Sequence, residues 1–151
     1  MKLYKTNAYP DVDLHDCHFK IFSQDDAVLF DFPNGFSVLQ NGEWKCIKGQ
    51  IRIPACSIDE LSILSKVRVN VFGIHRGISR YLSEKDLNKI FKEGVLELFD
   101  EYYACERFLW KCAIYPYDKC KKLSKKYGEI EIGGYIESPL EYYLDDEISV
   151  L

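Results

Sequence analysis

Two Asn-Gly pairs, Asn34-Gly35 and Asn41-Gly42, lie seven residues apart among short apolar-rich segments, and a Gly-Gly pair, Gly133-Gly134, follows near the C-terminus. A two-residue turn that closes a β-hairpin needs positive φ at its central positions, which Asn and Gly tolerate and bulky residues do not. Each pair therefore reads as a reversal between antiparallel strands, and the chain as a sheet protein. The aromatic share, 15%, fits strands better than helices.

Period-two alternation places the strands. Cys17, Phe19 and Ile21 face one way and His18, Lys20 and Phe22 the other, giving a first strand over 17–22. A turn at 23–26 leads to a second strand over 27–32, which Pro33 ends; segments 36–40 and 43–47 follow across the two Asn-Gly turns, completing a four-strand meander. Ser57-Ile58-Asp59-Glu60 has the form of a capping box, which predicts a short helix over 58–65. Val67, Val69 and Val71 alternate with polar residues as a strand that Gly73 closes, and the Gly77 region reads as a loop. Ser83 opens a helix with Leu87, Ile90 and Phe91 on one face and Gly94 as its C-terminal stop. Segment 95–115 fits either a long helix or a strand pair, 95–103 with 107–115; the pair is preferred because Gly94 inside a helix costs about 1 kcal/mol. A brief lysine-rich helix over 118–128, with Cys120, Leu123 and Tyr127 inward, precedes strands 129–132 and 135–137 across Gly133-Gly134 and a last strand over 140–144. The expected fold class is α+β: a single domain over 1–151, mainly antiparallel sheet, with two or three short helices.

At 151 residues and 47% hydrophobic, the chain has core enough without disulfide bridges. Its six widely spaced cysteines, Cys17, Cys46, Cys56, Cys105, Cys112 and Cys120, read as free thiols in a reducing cytoplasm. With no apolar leader-like stretch and no run long enough to span a bilayer, neither secretion nor membrane insertion is expected.

Charge is unevenly spread. Residues 111–127 carry six lysines against Asp118, whereas residues 128–151 carry seven acids and no base. The lysine run Lys119–Lys126 suggests counterion release from a nucleic acid, but the carboxylates that follow and the overall charge of −4 make nucleic acid an unlikely partner. The acidic segment interleaves carboxylates with tyrosines, which pairs electrostatic steering with stiff contact area. Glu137, Glu141, Tyr142, Tyr143, Asp145, Asp146 and Glu147 are thus the candidate partner-binding residues, and a basic protein is the partner they would suit. Exposed glutamates that merely keep a strand soluble are the plainer alternative.

Catalytic and metal chemistry find less support. In the densest reactive cluster, His15-Asp16-Cys17-His18, an extended strand puts Cys17 and His18 on opposite faces, a poor thiol-base dyad. There is no C-x-x-C or H-x-x-x-H spacing for zinc, and Gly73-Ile74-His75-Arg76-Gly77 lacks the spacing of a phosphate loop. No catalytic, metal-binding or cofactor-binding residue is assigned. A small hydrolase or transferase built on Cys17 and a histidine is the alternative from another class, and an RNA-binding module on Lys119–Lys126 a third.

His15-Asp16-Cys17 at a strand start, followed by Asp26–Phe32 and Gly35-Phe36, resembles the opening of small bacterial β-rich proteins, some of which are similar to immunity proteins that neutralise a sister-cell toxin. The resemblance covers roughly the first 40 residues, rests on the HDC and FPNGF segments, and transfers no site residue. It implies toxin neutralisation by non-enzymatic protein binding, here of a basic toxin.

Overall fold

The computed structural model describes residues 2–6, 12–104, 106–119, 123–136 and 140–147. They form a mainly antiparallel β protein with two helices. The strands in chain order are β1 (Lys2–Thr6), β2 (Val12–Asp13), β3 (Cys17–Gln24), β4 (Ala27–Gln40), β5 (Glu43–Pro54), β6 (Ser62–Val71), β7 (Ile74–Tyr81), β8 (Gly94–Ala104), β9 (Arg107–Pro116), β10 (Glu129–Tyr135) and β11 (Leu140–Glu147); the helices are α1 (Glu84–Glu93) and α2 (Leu123–Tyr127). Ten strands form one open path, β1-β11-β5-β4-β3-β8-β9-β10-β6-β7, and β2 pairs with β4 to the side.

β3 makes two half-sheets out of this path. Its first residues, Cys17 to Phe19, pair with β8, and its last, Lys20 to Gln24, pair with β4. Changing partner within one strand turns the two halves face to face, and the aromatic residues of β3, β4 and β9 fill the space between. The rings of Phe30 and Trp110 are 4.8 Å apart, those of Phe19 and Trp110 5.7 Å, and those of Phe19 and Phe32 5.3 Å. Such offset and edge contacts add to the large apolar area each ring removes from water. Ile51, Ile63, Leu96, Leu98, Ile130 and Ile132 complete the buried layer.

Several sequence expectations change here. Of the three expected pairs, Asn41-Gly42 alone makes a tight hairpin turn, with φ of 54° and 83°. β4 runs straight through Pro33 and Asn34-Gly35, which form an irregularity where the register with β5 shifts between Phe32 and Phe36. The expected meander of four strands is therefore three, because the second and third fuse. β10 likewise continues through Gly133-Gly134, paired with β9 along that stretch. A Cβ on Gly134 would lie 2.8 Å from Leu61 Cδ2, so close packing, not a turn, explains that glycine. The expected strand 135–137 is replaced by the end of β10, with Glu137 outside the described residues.

The capping box at Ser57 forms, Ser57 N–H donating to Glu60 at 2.6 Å, yet it opens a single 3₁₀ turn over Ile58–Glu60 instead of a helix over 58–65. Leu61 and Ile63 are then claimed by the core as β6 begins. α1 follows its expectation at the start, Ser83 and Asp86 bonding each other's backbone, while Gly94 at its end is extended (φ −175°) and enters β8 directly. Segment 95–115 is the strand pair, β8 with β9. In α2, Leu123 and Tyr127 are buried as expected; Cys120 lies outside the described residues. The loop expected around Gly77 is strand β7.

Candidate functional site: a projecting hairpin

β6 leaves the body of the sheet halfway along. Its first residues pair with β10 from Ser62 to Lys66, and beyond Lys66 it is joined only to β7 among the described residues. The five remaining register pairs, from Val67↔Ile78 to Val71↔Ile74, make a free two-stranded ribbon about 17 Å long at strand rise.

Alternation sorts its side chains by face. Ile63 and Ser65, both 1% exposed, belong to the core face of β6, and Ser65 donates a short hydrogen bond to the Tyr127 carbonyl where α2 covers it. Two-residue periodicity continues that face through Val67, Val69 and Val71, with Ile74, Arg76, Ile78 and Arg80 beside them on β7. The core stripe thus runs on past the end of the core. Val71, Ile74 and Ile78 are about half exposed, and all eight residues of β7 are exposed. The opposite face carries Lys66, Arg68, Asn70, His75, Ser79 and Tyr81. Residues 62–81 hold four cations, Lys66, Arg68, Arg76 and Arg80, and no acid.

At the tip, Phe72-Gly73 makes the same kind of turn as Asn41-Gly42, with φ of 53° and 78°. Asn accepts a left-handed backbone cheaply; for Phe the same conformation costs roughly 1–2 kcal/mol. The Phe72 ring recovers nothing by packing, since the residue is 100% exposed. With Val71 and Ile74 exposed on either side of the turn, the ring is part of an apolar tip on a strained backbone, and such exposed apolar patches mark contact surfaces. The sequence signal was present in part: Gly73 sits between alternating segments, but Phe in the position that Asn normally fills hid the turn.

The acidic candidates take a different position. β11 lies between β1 and β5, inside the sheet path. Leu140, Tyr142 and Leu144 point inward and are buried, and Tyr142 is only 4% exposed. Glu141 faces the other side yet is 7% exposed, because Arg52 donates to it at 2.7 Å and the Tyr143 hydroxyl at 2.9 Å. As folded, Glu141 and Tyr142 offer no contact area; Tyr143 is half-buried and Asp145 exposed. Asp146 and Glu147 belong to β11 by their backbone, and their side chains, like Glu137, lie outside what the structure describes. Beside this network Gln24, Asp25, Leu29, Gln50, Arg52 and Tyr143 line an open polar cleft of about 370 Å³ whose one cation, Arg52, is already held by Glu141.

The thiol cluster has the wrong electrostatics for a nucleophile. Burial, reinforced by Asp13, pushes the Cys17 thiol up to about 12, and the His15 ring, 3.0 Å from Asp16, is engaged there. His18 lies 3.7 Å from Glu97 and against the Tyr115 ring. Near this cluster Glu101 is a half-buried carboxyl. It accepts from the Tyr103 hydroxyl at 3.3 Å, its second oxygen has no hydrogen-bond partner, and burial raises it to about 7. Cys17, Cys46, Cys56 and Cys112 are all free thiols. Of the lysine run, Lys119, Lys125 and Lys126 are exposed. Among the described residues no helix is long and apolar enough to cross a membrane.

Comparison with protein-family models, curated proteins and solved structures finds no match to this chain.

Proposed function

We propose that this chain is a non-enzymatic protein-binding protein whose contact element is the β6–β7 hairpin. The observation that carries the reading is the fully bare Phe72 at the tip of a ribbon whose core-type face is half-buried at Val67 and Val69 and exposed at Val71, Ile74 and Ile78. An isolated two-stranded ribbon is marginal in water, and apolar side chains on it gain most by being covered. The elevated Cys17 thiol supports binding over covalent catalysis, because thiolate, not thiol, is the nucleophile. The free thiols fit a cytoplasmic setting.

Replacing Phe72 with a photo-crosslinking aromatic amino acid in cells tests this, with the same replacement at the exposed Trp44 as control. Discrete adducts from position 72 that are absent from position 44 are expected. No adduct at 72, or the same adducts at both, overturns the reading.

A second reading keeps the immunity-type role inferred from the sequence, with a basic toxin held by the acidic end of β11. Exposed Asp145 is what favours it. On that reading Asp145→Lys abolishes protection against the toxin while hairpin substitutions leave it intact; the reverse pattern removes this reading.

A further inference from the structure

We propose that the outer edge of β7, Ile74–Tyr81, is a strand-addition site for an extended, acidic segment of a partner protein. This rests on the hairpin being the contact element and goes further, to the chemistry and geometry of what it takes.

Main-chain geometry provides the first argument. The two-residue turn closes on the pair Val71↔Ile74, which is hydrogen-bonded in such hairpins, and antiparallel pairs alternate between bonded and non-bonded. The N–H and C=O groups of His75, Gly77, Ser79 and Tyr81 therefore point away from β6. β7 ends the strand path, and among the described residues nothing pairs with this edge. Natural sheets blunt such edges with proline, a bulge, a short strand or charged side chains, and of these β7 has only the charges, Arg76 and Arg80, which repel another cationic edge and admit an acidic one. β7 has eight residues, no proline, and no register shift against β6. A Cβ on Gly77 would meet nothing within 4 Å, so the face that carries Arg68 is open beside the middle of the edge.

Charge and pattern give the second argument. A strand added alongside β7 would set its own side chains beside Ile74, Arg76, Ile78 and Arg80 on one face. That row asks for apolar residues with an acid opposite Arg76: Lys66 is paired with Glu131 and Arg80 lies 3.9 Å from Asp86, whereas residues 62–81 hold no acid for Arg68 or Arg76. A second copy adding its own β7 would bring Arg76 and no acid to the edge, so self-pairing is disfavoured. A bilayer is disfavoured too, because its apolar interior offers nothing to the unpaired backbone groups along the ribbon. The mode is β-augmentation, in which the main chain supplies affinity and alternate side chains supply specificity.

The test uses fluorescein-labelled peptides of eight residues and the full chain. The first peptide alternates threonine with glutamate and valine in turn; the second replaces glutamate by lysine; the third is the first with every second amide N-methylated on the pairing edge. Binding of the first alone, weakened about tenfold by Arg76→Glu and lost in Ser79→Pro while the far-ultraviolet spectrum stays that of a sheet, is the expected result. Equal binding of the N-methylated peptide overturns strand addition and leaves a charge contact. Failure of all three overturns the proposal, as does a preference for vesicles of phosphatidylserine and phosphatidylcholine or for an oligouridine over the first peptide. The Phe72 crosslinks decide the broader reading separately: adducts at position 72 without peptide binding keep the hairpin as contact element and remove only this mode.

Discussion

The β6–β7 hairpin and strand β11 are both short, strongly charged segments rich in large side chains, and the sheet treats them in opposite ways. β11 carries acids and tyrosines but lies between two strands, so its carboxylate at 141 is drawn into an ion pair and its Tyr142 into the core. The hairpin carries cations and β-branched residues but ends the strand path, so the same kind of alternation leaves apolar side chains in water. Charge in a sequence reports what a surface would attract. Position in the strand order decides whether that surface exists.

The largest effect that separates the two regions is expected at Glu141. Glu141→Ala strands the Arg52 guanidinium, which is three-quarters buried at the side chain, and removes the acceptor of the Tyr143 hydroxyl. Losing one member of such a pair leaves an uncompensated charge. Because Arg52 keeps some solvent and a bond to the Asp25 carbonyl, the cost is expected at about 2–3 kcal/mol, below the range for fully buried pairs. Urea denaturation measures it. A loss under 0.5 kcal/mol, together with weakened partner binding, would return Glu141 to the contact surface and break the comparison.

A second half-buried carboxyl sharpens it further. Glu101 is held up to about 7 against an ordinary 4.5, mainly by burial. Between those two pH values the folded chain keeps a proton that the unfolded chain releases, so stability is greatest below pH 4.5 and falls as pH rises through 7. Allowing for partial solvent screening, the loss is about 1–2 kcal/mol. Glu101→Gln mimics the protonated form and is expected to flatten that slope, making the variant the more stable protein at pH 8. Thermal melts across pH 4–8 check this; an unchanged slope would show that the carboxyl is not desolvated.

At the hairpin tip the expected sign reverses. Phe72→Asn places in the turn the residue already used at Asn41, and relief of the left-handed backbone is worth up to about 1 kcal/mol. The variant should melt higher than the parent and lose its partner. A destabilised variant would show that the Phe72 ring packs against something in the native protein.

These regions also show how much was legible in advance. The sheet class, the choice of strands over helix for 95–115, α1 and its Ser83 cap, and the inward Leu123 and Tyr127 of α2 followed from alternation, capping and composition, all of which act locally. Asn34-Gly35 and Gly133-Gly134 misled because glycine serves an irregular register or close packing as readily as a turn. Ser57 formed its box without a helix because Leu61 and Ile63 gain more in the core than a helix propensity of tenths of a kcal/mol offers. For the contact surface, local pattern fails in principle. Tyr142 is buried while its neighbour Tyr143 is half-buried on the other face, and Val67–Val71 has the pattern of a core strand; only the pairing order shows that β11 is covered and that β7 is not.

The smallest expected effect is the most telling about the hairpin. Ile78→Thr and Val69→Thr remove apolar surface from a face that would be worth about 1.5–3 kcal/mol per side chain if it were buried. In the free protein Ile78 is 54% exposed and Val69 half-buried, so Ile78→Thr is expected to change stability by less than about 0.5 kcal/mol and Val69→Thr by less than about 1 kcal/mol; threonine keeps the β-branched shape that suits a strand. The same two substitutions should lower partner affinity several-fold, since covering those side chains is what binding adds. Denaturation and binding measured on one preparation separate the terms. A loss of stability above 1 kcal/mol in the free protein would mean that the ribbon folds back on the body and that its apolar face is already satisfied.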